Sequence, residues 1–455
     1  MTTRQTIELL RQYESRNVLF SEADGSWPIV WERARGVQVW DAEGKKYLDL
    51  TAAFGVAAAG HTNPKVVRAG QTQMARLLHA MGDVHPHALK ARLAQQLSGI
   101  TFERWAKLSK VQSPRSKVES EQSLSERKIQ NSKFKTGKTI FSNSGFEAVE
   151  SALKTALLAT KKNGVIVFEG AYHGLGYGAL NATHREHFRR PFRAQLRAFG
   201  SFAPFPKTKT DLSALEKLLR EIFRRKQIGA ILVEPMQARG GINLPPPEFL
   251  PLLRQLCDAH GALLILDEIY TGFGRTGKWF ACEHSQTVPD LICLGKALTG
   301  GFPLSACVGR ADVMDAAWPA STGEAIHTST FLGHPVGCAM ALAHIAEIAR
   351  RQLCDRSAEL GKFLLAELSK IKNSKLKIKN SARGIGLMAG VELTLPNGQP
   401  ATEVALNAIK TLLHRGYIFL PEGEHGNVIS FTPPLTISKV QLSKAVAALA
   451  EVLNG

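Results

Sequence analysis

The chain has 455 residues and a formal net charge of +18, with 44% hydrophobic and 21% charged residues. That length exceeds what one hydrophobic core ordinarily serves, so two unequal domains are expected, and the composition is that of an ordinary globular protein. No run of 18 or more apolar residues occurs, which argues against a membrane span, and the six cysteines (257, 282, 293, 307, 338, 354) show no paired spacing, so neither a disulfide framework nor a metal site is expected.

The first segment, MTTRQTIELLRQYESRNVLF, mixes charge through its apolar positions and reads as an amphipathic helix instead of a signal peptide, which makes the cytoplasm the default location. Gln38-Trp40 and Lys46-Leu50 then flank Asp41-Ala42-Glu43-Gly44, a hairpin signal. Ser113 to Lys138 carries seven Lys/Arg against three Glu, and Lys370 to Lys379 carries five Lys and no acid, so these two tracts hold half of the net charge. They also resemble each other (KIQNSKFK, KIKNSKLK) and read as surface insertions. No aromatic and basic interleaving accompanies them, so nucleic acid is not an expected partner.

From Lys138 to about Val308 short apolar runs alternate with helical stretches. Strands are predicted at Thr139-Phe141, Val165-Phe168, Ala230-Val233, Leu263-Leu266, Leu291-Leu294 and Ala306-Val308. A helix is predicted from Glu147 to Thr160, where Val149, Ala152, Leu153, Ala156 and Leu157 recur at helical spacing. Such alternation predicts an α/β fold with a largely parallel sheet flanked by helices, binding its ligand at the carboxyl ends of the strands. A long helix from His334 to about Arg350 and strands at Gly384 to Glu392 and Val428 to Phe431 follow. The expected division is 1–65 and 336–455 as a smaller α+β domain built from both chain ends, with 66–335 as the large domain.

Two strand ends carry chemistry. The run Ala262 to Leu266 ends in Asp267-Glu268, and Leu291 to Gly295 ends in Lys296, which Ala297-Leu298-Thr299-Gly300-Gly301 follows. A lone lysine is usually a solvated charge, and an Asp after a strand is commonly a cap or turn former. Together, an amine able to form a Schiff base and an acid able to keep a ring nitrogen protonated are what pyridoxal phosphate requires.

The surrounding motifs are WDAEGKKYLDL (40–50), GHTNP (60–64), FSNSGFEAVESALKTA (141–156), FEGAYHG (168–174), VEPMQARGG (233–241), LILDEIYTGFGRTG (264–277), LICLGKALTGGFPLSA (291–306), HTSTFLGHP (327–335) and FTPPL (431–435). In this order they resemble the class III, ω-type aminotransferases of the fold-type I pyridoxal phosphate enzymes, from about Glu14 to about Ser438. The resemblance implies an amino group moved from an amine or ω-amino acid to a 2-oxo acid, with racemisation, epimerisation or aminomutation as the alternative on the same scaffold. Ser144, Gly145 and Phe146 at a helix N-terminus would hold the phosphate. Thr330 would reach the phosphate of a neighbouring subunit, so a homodimer with a shared site is implied. Tyr172 and Ile269 would bracket the ring, Asp267 would bind its nitrogen, and Glu234 and Tyr270 belong to the same cofactor site. Lys296, once freed, would carry the proton between substrate and cofactor. His173 and His61 read as packing or supporting residues.

Gly272-Phe273-Gly274-Arg275-Thr276-Gly277 fits the dinucleotide fingerprint, but Lys278 to His284 offers no amphipathic helix to receive a pyrophosphate. Two departures from the family bear on substrate. The arginine that clamps a substrate carboxylate three residues before Pro-Pro-Leu is Ser430 here, and the glutamate that pairs with it is Arg239. Arg239 is therefore either the carboxylate clamp or half of a structural ion pair. A distal tyrosine of ornithine-type members is Phe54, which lacks the hydroxyl for a distal polar group, and Tyr270 stands where the family often has Gln.

Overall fold

The computed structural model describes residues 1–112, 136–371 and 378–454. Most of both basic tracts lies outside the described residues. The first helix, Thr3–Tyr13, is shorter than the expected segment and is closed by a capping box between Thr2 and Gln5.

Strands β1 (Trp31–Arg35), β2 (Gln38–Asp41) and β3 (Lys46–Asp49) form an antiparallel meander. Its predicted turn is held by Asp41, whose carboxylate accepts from the N–H of Glu43 (3.1 Å) and Lys45 (2.8 Å) and from the Tyr47 hydroxyl (2.7 Å).

The central sheet has seven strands: β4 (Gly137–Ser142), β5 (Gly164–Phe168), β6 (Gly200–Ala203), β7 (Ile228–Val233), β8 (Leu263–Asp267), β9 (Leu291–Leu294) and β10 (Ser305–Arg310), in the order β4-β10-β9-β8-β7-β5-β6. Every residue of β7 and β9 is buried, as continuous apolar runs covered on both faces must be. β10 is antiparallel to both of its neighbours, β4 and β9, while β5 to β9 pair in parallel. β6 was not expected: Gly-Ser-Phe-Ala has no apolar run, and it becomes a strand at the sheet edge by backbone pairing to β5.

The helix expected from Glu147 begins at Gly145 and ends at Thr160. Its inner face carries Ala148, Val149, Ala152, Leu153 and Ala156, whereas Leu157 is 47% exposed and falls off that face. Each large apolar side chain buried this way contributes roughly 1.5–3 kcal/mol. The helix Pro335–Arg350 follows its expectation, with the His334 ring as N-cap acceptor for Val336 N–H at 3.2 Å.

The expected single strand from Gly384 to Glu392 is two, β11 (Lys379–Ile385) and β12 (Met388–Thr394), paired antiparallel around Gly386-Leu387. No Asn-Gly or Asp-Gly signal marks this turn. Its hold is tertiary: Leu387 N–H donates to Arg275 O at 3.0 Å, and a Cβ at Gly386 would lie 2.4 Å from the Thr276 carbonyl carbon. β13 (Tyr417–Ile418) runs parallel to β3, so a strand from late in the chain completes the sheet begun by β1 to β3. β14 (Leu420–Glu422) pairs with β15 (Val428–Phe431), which pairs with β12.

Candidate active site

A cavity of about 360 Å³ opens where strands β4, β5, β7, β8 and β9 end. Asp267, the last residue of β8, is 5% exposed; one carboxylate oxygen lies 2.7 Å from His173 Nδ1 and the other accepts from Ile269 N–H at 3.1 Å. Glu268 points to the opposite side, as alternation along a strand requires. It is fully buried, accepts from Ala281 N–H (2.9 Å), Cys282 N–H (2.8 Å) and the Thr271 hydroxyl, and burial pushes it up to about 7. Of the Asp-Glu pair, one carboxylate serves the cavity and the other braces the loop that follows β8.

Lys296 lies just past β9 with φ +37°, and its Nζ stands 4.6 Å from the centre of the Tyr270 ring. Burial holds its amine below the ordinary range, opposed by the negative charges of Asp267, Glu234 and Glu422. The Tyr270 hydroxyl is 3.1 Å from Thr432 Oγ1, and the ring has room only because residue 55 is glycine, where a Cβ would meet it at 2.9 Å.

At the other end of the cavity the helix Gly145–Thr160 presents its first turn. Ser144 caps it, donating N–H (2.7 Å) and hydroxyl (2.9 Å) to Glu147, while Gly145 and Phe146 line the cavity. The first amides of a helix have no acceptor within it and carry the positive end of its dipole, so this end suits a phosphate. A Cβ at position 145 would lie 3.0 Å from Ile269 Cδ1, so glycine lets that side chain close over the site.

Past β7, Glu234 accepts from Tyr172 N–H (3.0 Å) and Ala238 N–H (3.2 Å), which ties the Tyr172 loop beside the cavity. Burial pushes Glu234 up to about 7, with His173 opposing and Asp267 adding to the shift. Tyr172 and Ile269 both line the cavity, as do Glu234, Arg239 and Tyr270. An amine at one end, a carboxylate backed by an imidazole on the floor, flat walls and a helix N-terminus at the far end fit pyridoxal phosphate in donor type and order.

Other expected residues lie elsewhere. Phe54 is 53% exposed, on a left-handed turn (φ +61°), and does not line the cavity. Thr330 is exposed on the segment before the Pro335 helix and also lies outside it. Ser430 is buried in β15 and donates its hydroxyl to Leu420 O at 3.0 Å, so the backbone of β14 takes it up. The Gly272–Gly277 loop opens no helix. Its Arg275 is fully buried and donates to Leu387 O (2.9 Å) and Pro433 O (2.5 Å), so the glycine-rich stretch is a packing joint.

Three residues in or beside the site carried little sequence signal. His173 reads as a packing or supporting residue, and it lines the cavity against Asp267. Arg185 donates to Arg239 O at 2.6 Å, and Glu422, 5% exposed at the end of β14, is pushed up to about 7 by burial against the pull of Arg239, Arg185 and Lys296. Arg239 itself is half-buried, its guanidinium 4.9 Å from the Tyr172 ring centre and its Nε without a hydrogen-bond partner.

The family model for class-III aminotransferases matches residues 19–453. The chain is 35% identical to the 5-aminovalerate aminotransferase DavT of Pseudomonas aeruginosa, over 94% of either chain, and 34% identical to the putrescine aminotransferase of Pectobacterium atrosepticum, over 94% of this chain and 82% of that one. Among solved structures, a transaminase from the marine bacterium Virgibacillus superposes with a TM-score of 0.84 at 26% identity, covering 99% of this chain and 98% of the other. The ornithine aminotransferase of Toxoplasma gondii, with PLP at partial occupancy in its active site, superposes with a TM-score of 0.80 at 26% identity, over 99% and 94%. With a match along nearly its whole length, the chain belongs to the class-III aminotransferase family and is a pyridoxal phosphate-dependent transaminase of fold type I.

Proposed function

We propose that the protein transfers the terminal amino group of an amine or ω-amino acid to a 2-oxo acid, with Lys296 as the covalent anchor and proton carrier. The observation that carries this reading is the presence of Lys296 and Asp267 on one cavity, each at the end of one of two adjacent parallel strands. Pyridoxal phosphate, when bound, supplies the aldehyde that accepts the amino group and a ring that takes up the electrons left by deprotonation.

The chain's own residues do the rest. Gly145 and Phe146 offer backbone N–H groups to the phosphate at the helix that Ser144 caps. Tyr172 and Ile269, both on the cavity, would hold the ring. Asp267 would keep the ring nitrogen protonated, and its bond to His173 fixes the carboxylate in place. The Lys296 Nζ takes the proton from the substrate carbon that bears the amine, and burial favours the neutral amine this requires. Tyr270 holds that amine against its ring, and Glu234 anchors the Tyr172 loop.

Relatives acting on 5-aminovalerate and putrescine support a terminal-amine donor. Arg239, on the cavity wall with no ion pair within 4.0 Å among the described residues, is free to meet the carboxylate of an ω-amino acid or a 2-oxo acid. A homodimer with Thr330 reaching the partner's site is supported by exposed Met74, Leu78, Met81 and Val84 and by Phe331 beside Thr330. Six free cysteines support a reducing compartment, the cytoplasm.

The test is visible absorption of the loaded enzyme with 4-aminobutyrate, 5-aminovalerate, putrescine or alanine added singly. Loss of the cofactor band with terminal amines, restored by pyruvate or 2-oxoglutarate, is the expected result. A band that only α-amino acids shift, or that none shifts, overturns the donor class.

A further inference from the structure

The Tyr270 ring, whose centre lies 4.6 Å from Lys296 Nζ, is held at both ends by one short segment. Its hydroxyl is 3.1 Å from Thr432 Oγ1, which donates to Thr51 O at 3.3 Å. Its edge rests on Gly55, where a Cβ would lie 2.9 Å from Tyr270 Cε1. Between these two holds, Ala52 (φ +48°), Ala53 (φ +50°), Phe54 (φ +61°) and Gly55 (φ +82°) stand in succession in the left-handed region, which suits only glycine. Such a turn persists where its surroundings over-determine it. Here Ala53 N–H donates to Thr51 Oγ1 (3.1 Å), Gly55 N–H to Thr51 O (2.9 Å) and Ala57 N–H to Ala52 O (2.9 Å). Thr51 is buried and gives both its hydroxyl (2.6 Å) and its N–H (2.8 Å) to Asp49, whose other oxygen stands 2.7 Å from His61 Nε2.

We propose that Thr51, set by Asp49 and His61, is a positioning residue for Lys296: it fixes the left-handed turn as the stop that keeps the Tyr270 ring facing the amine. An aromatic face beside a cation favours the charged form, most strongly where water is excluded. Without the Thr51 hydroxyl, Ala53 N–H loses its acceptor and the turn is free to relax toward the right-handed region. Gly55 then leaves the ring edge, and the ring face swings away from Lys296. A side chain at position 55 acts from the other direction, because its Cβ pushes the ring directly. The inference rests on the reading of Lys296 as the covalent anchor.

The visible band of the lysine-bound cofactor, titrated with pH in the holoenzyme, tests it, because that band moves when the Lys296 nitrogen gains or loses its proton. The charged groups that act on Lys296, namely Asp267, Glu234, Glu422 and Arg239, are untouched by the variants, so a shift reports the ring. Thr51→Val is expected to lower the midpoint by about 0.5–1 pH unit, roughly a three- to tenfold weaker hold on the proton. Thr51→Ser, which keeps the hydroxyl, is expected to restore the wild-type value. Gly55→Ala is expected to shift the midpoint in the same direction and carries the test should Thr51→Val fail to fold. In a Tyr270→Leu background neither Thr51→Val nor Gly55→Ala should move it further. A titration of Thr51→Val or Gly55→Ala indistinguishable from wild type overturns the proposal, and so does a shift of undiminished size in the Tyr270→Leu background. A band that persists in Lys296→Ala sinks the anchor reading instead.

Discussion

The floor of the cavity and its substrate wall use the same residue types but differ in how they are assembled. On the floor, Asp267 and Lys296 sit at the ends of β8 and β9, whose register is set by rows of buried apolar side chains. On the wall, Arg239 stands on the loop after β7, and that loop is held by single bonds from Arg185 and from the Gly423 N–H to the Arg239 carbonyl. A residue at a strand end inherits its position from the sheet, whereas a loop residue depends on which other loops meet it. The floor therefore tolerates little chemical change, and the wall is where specificity is free to vary.

Replacing the floor amine gives the largest expected effect. Lys296→Ala should lower turnover by about 10⁴-fold or more and abolish the visible band of the lysine-bound cofactor, with folding retained. Adjacent carboxylates sharpen the contrast within the floor. Asp267→Asn should reduce kcat by about 10²–10³-fold with little change in thermal stability. Glu268→Ala strands buried N–H groups of Ala281 and Cys282, and should cost about 3–5 kcal/mol in denaturant unfolding.

On the wall, Arg239→Ala should raise KM for carboxylate-bearing donors and acceptors by about 10- to 100-fold, roughly 1.5–3 kcal/mol, and leave simple monoamines unaffected. Equal losses for both substrate kinds would erase the distinction between floor and wall. Glu422 gives a stability signature with a definite sign. Its folded pKa of about 7 lies above the ordinary 4.5, so the folded state holds the extra proton and wild-type stability declines as pH rises through that interval. Glu422→Gln should thus be more stable than wild type by about 2 kcal/mol at pH 8, with the gain gone at pH 5 in urea titrations. Smallest of all, Phe54→Tyr should change kcat/KM by less than about threefold for aliphatic donors, because the ring is exposed and does not line the cavity.

Much of the floor was legible because a buried parallel strand writes itself as an uninterrupted apolar run and its end marks the ligand edge. β7, β8 and β9 ended within a residue of their expected positions, and the helix expected from Glu147 begins two residues earlier, at Gly145. The misses share a cause. β6 has no apolar pattern and exists through pairing with β5, and the turn at Gly386-Leu387 is imposed by Arg275 from a distant loop. Leu157 satisfied the helical spacing yet faces outward, since periodicity identifies a stripe without its width.

By itself, the sequence determined the α/β class, the strand ends, and an amine and a carboxylate at two of those ends, because local periodicity and residue chemistry do not depend on distant partners. Only the tertiary structure decided that Glu268 turns away to brace the loop after β8, that His173 meets the Asp267 carboxylate at 2.7 Å, and that Arg185 and the Gly423 N–H converge on the Arg239 carbonyl. Those outcomes depend on burial and on charges brought together from far along the chain, and neither is written in any local stretch of residues.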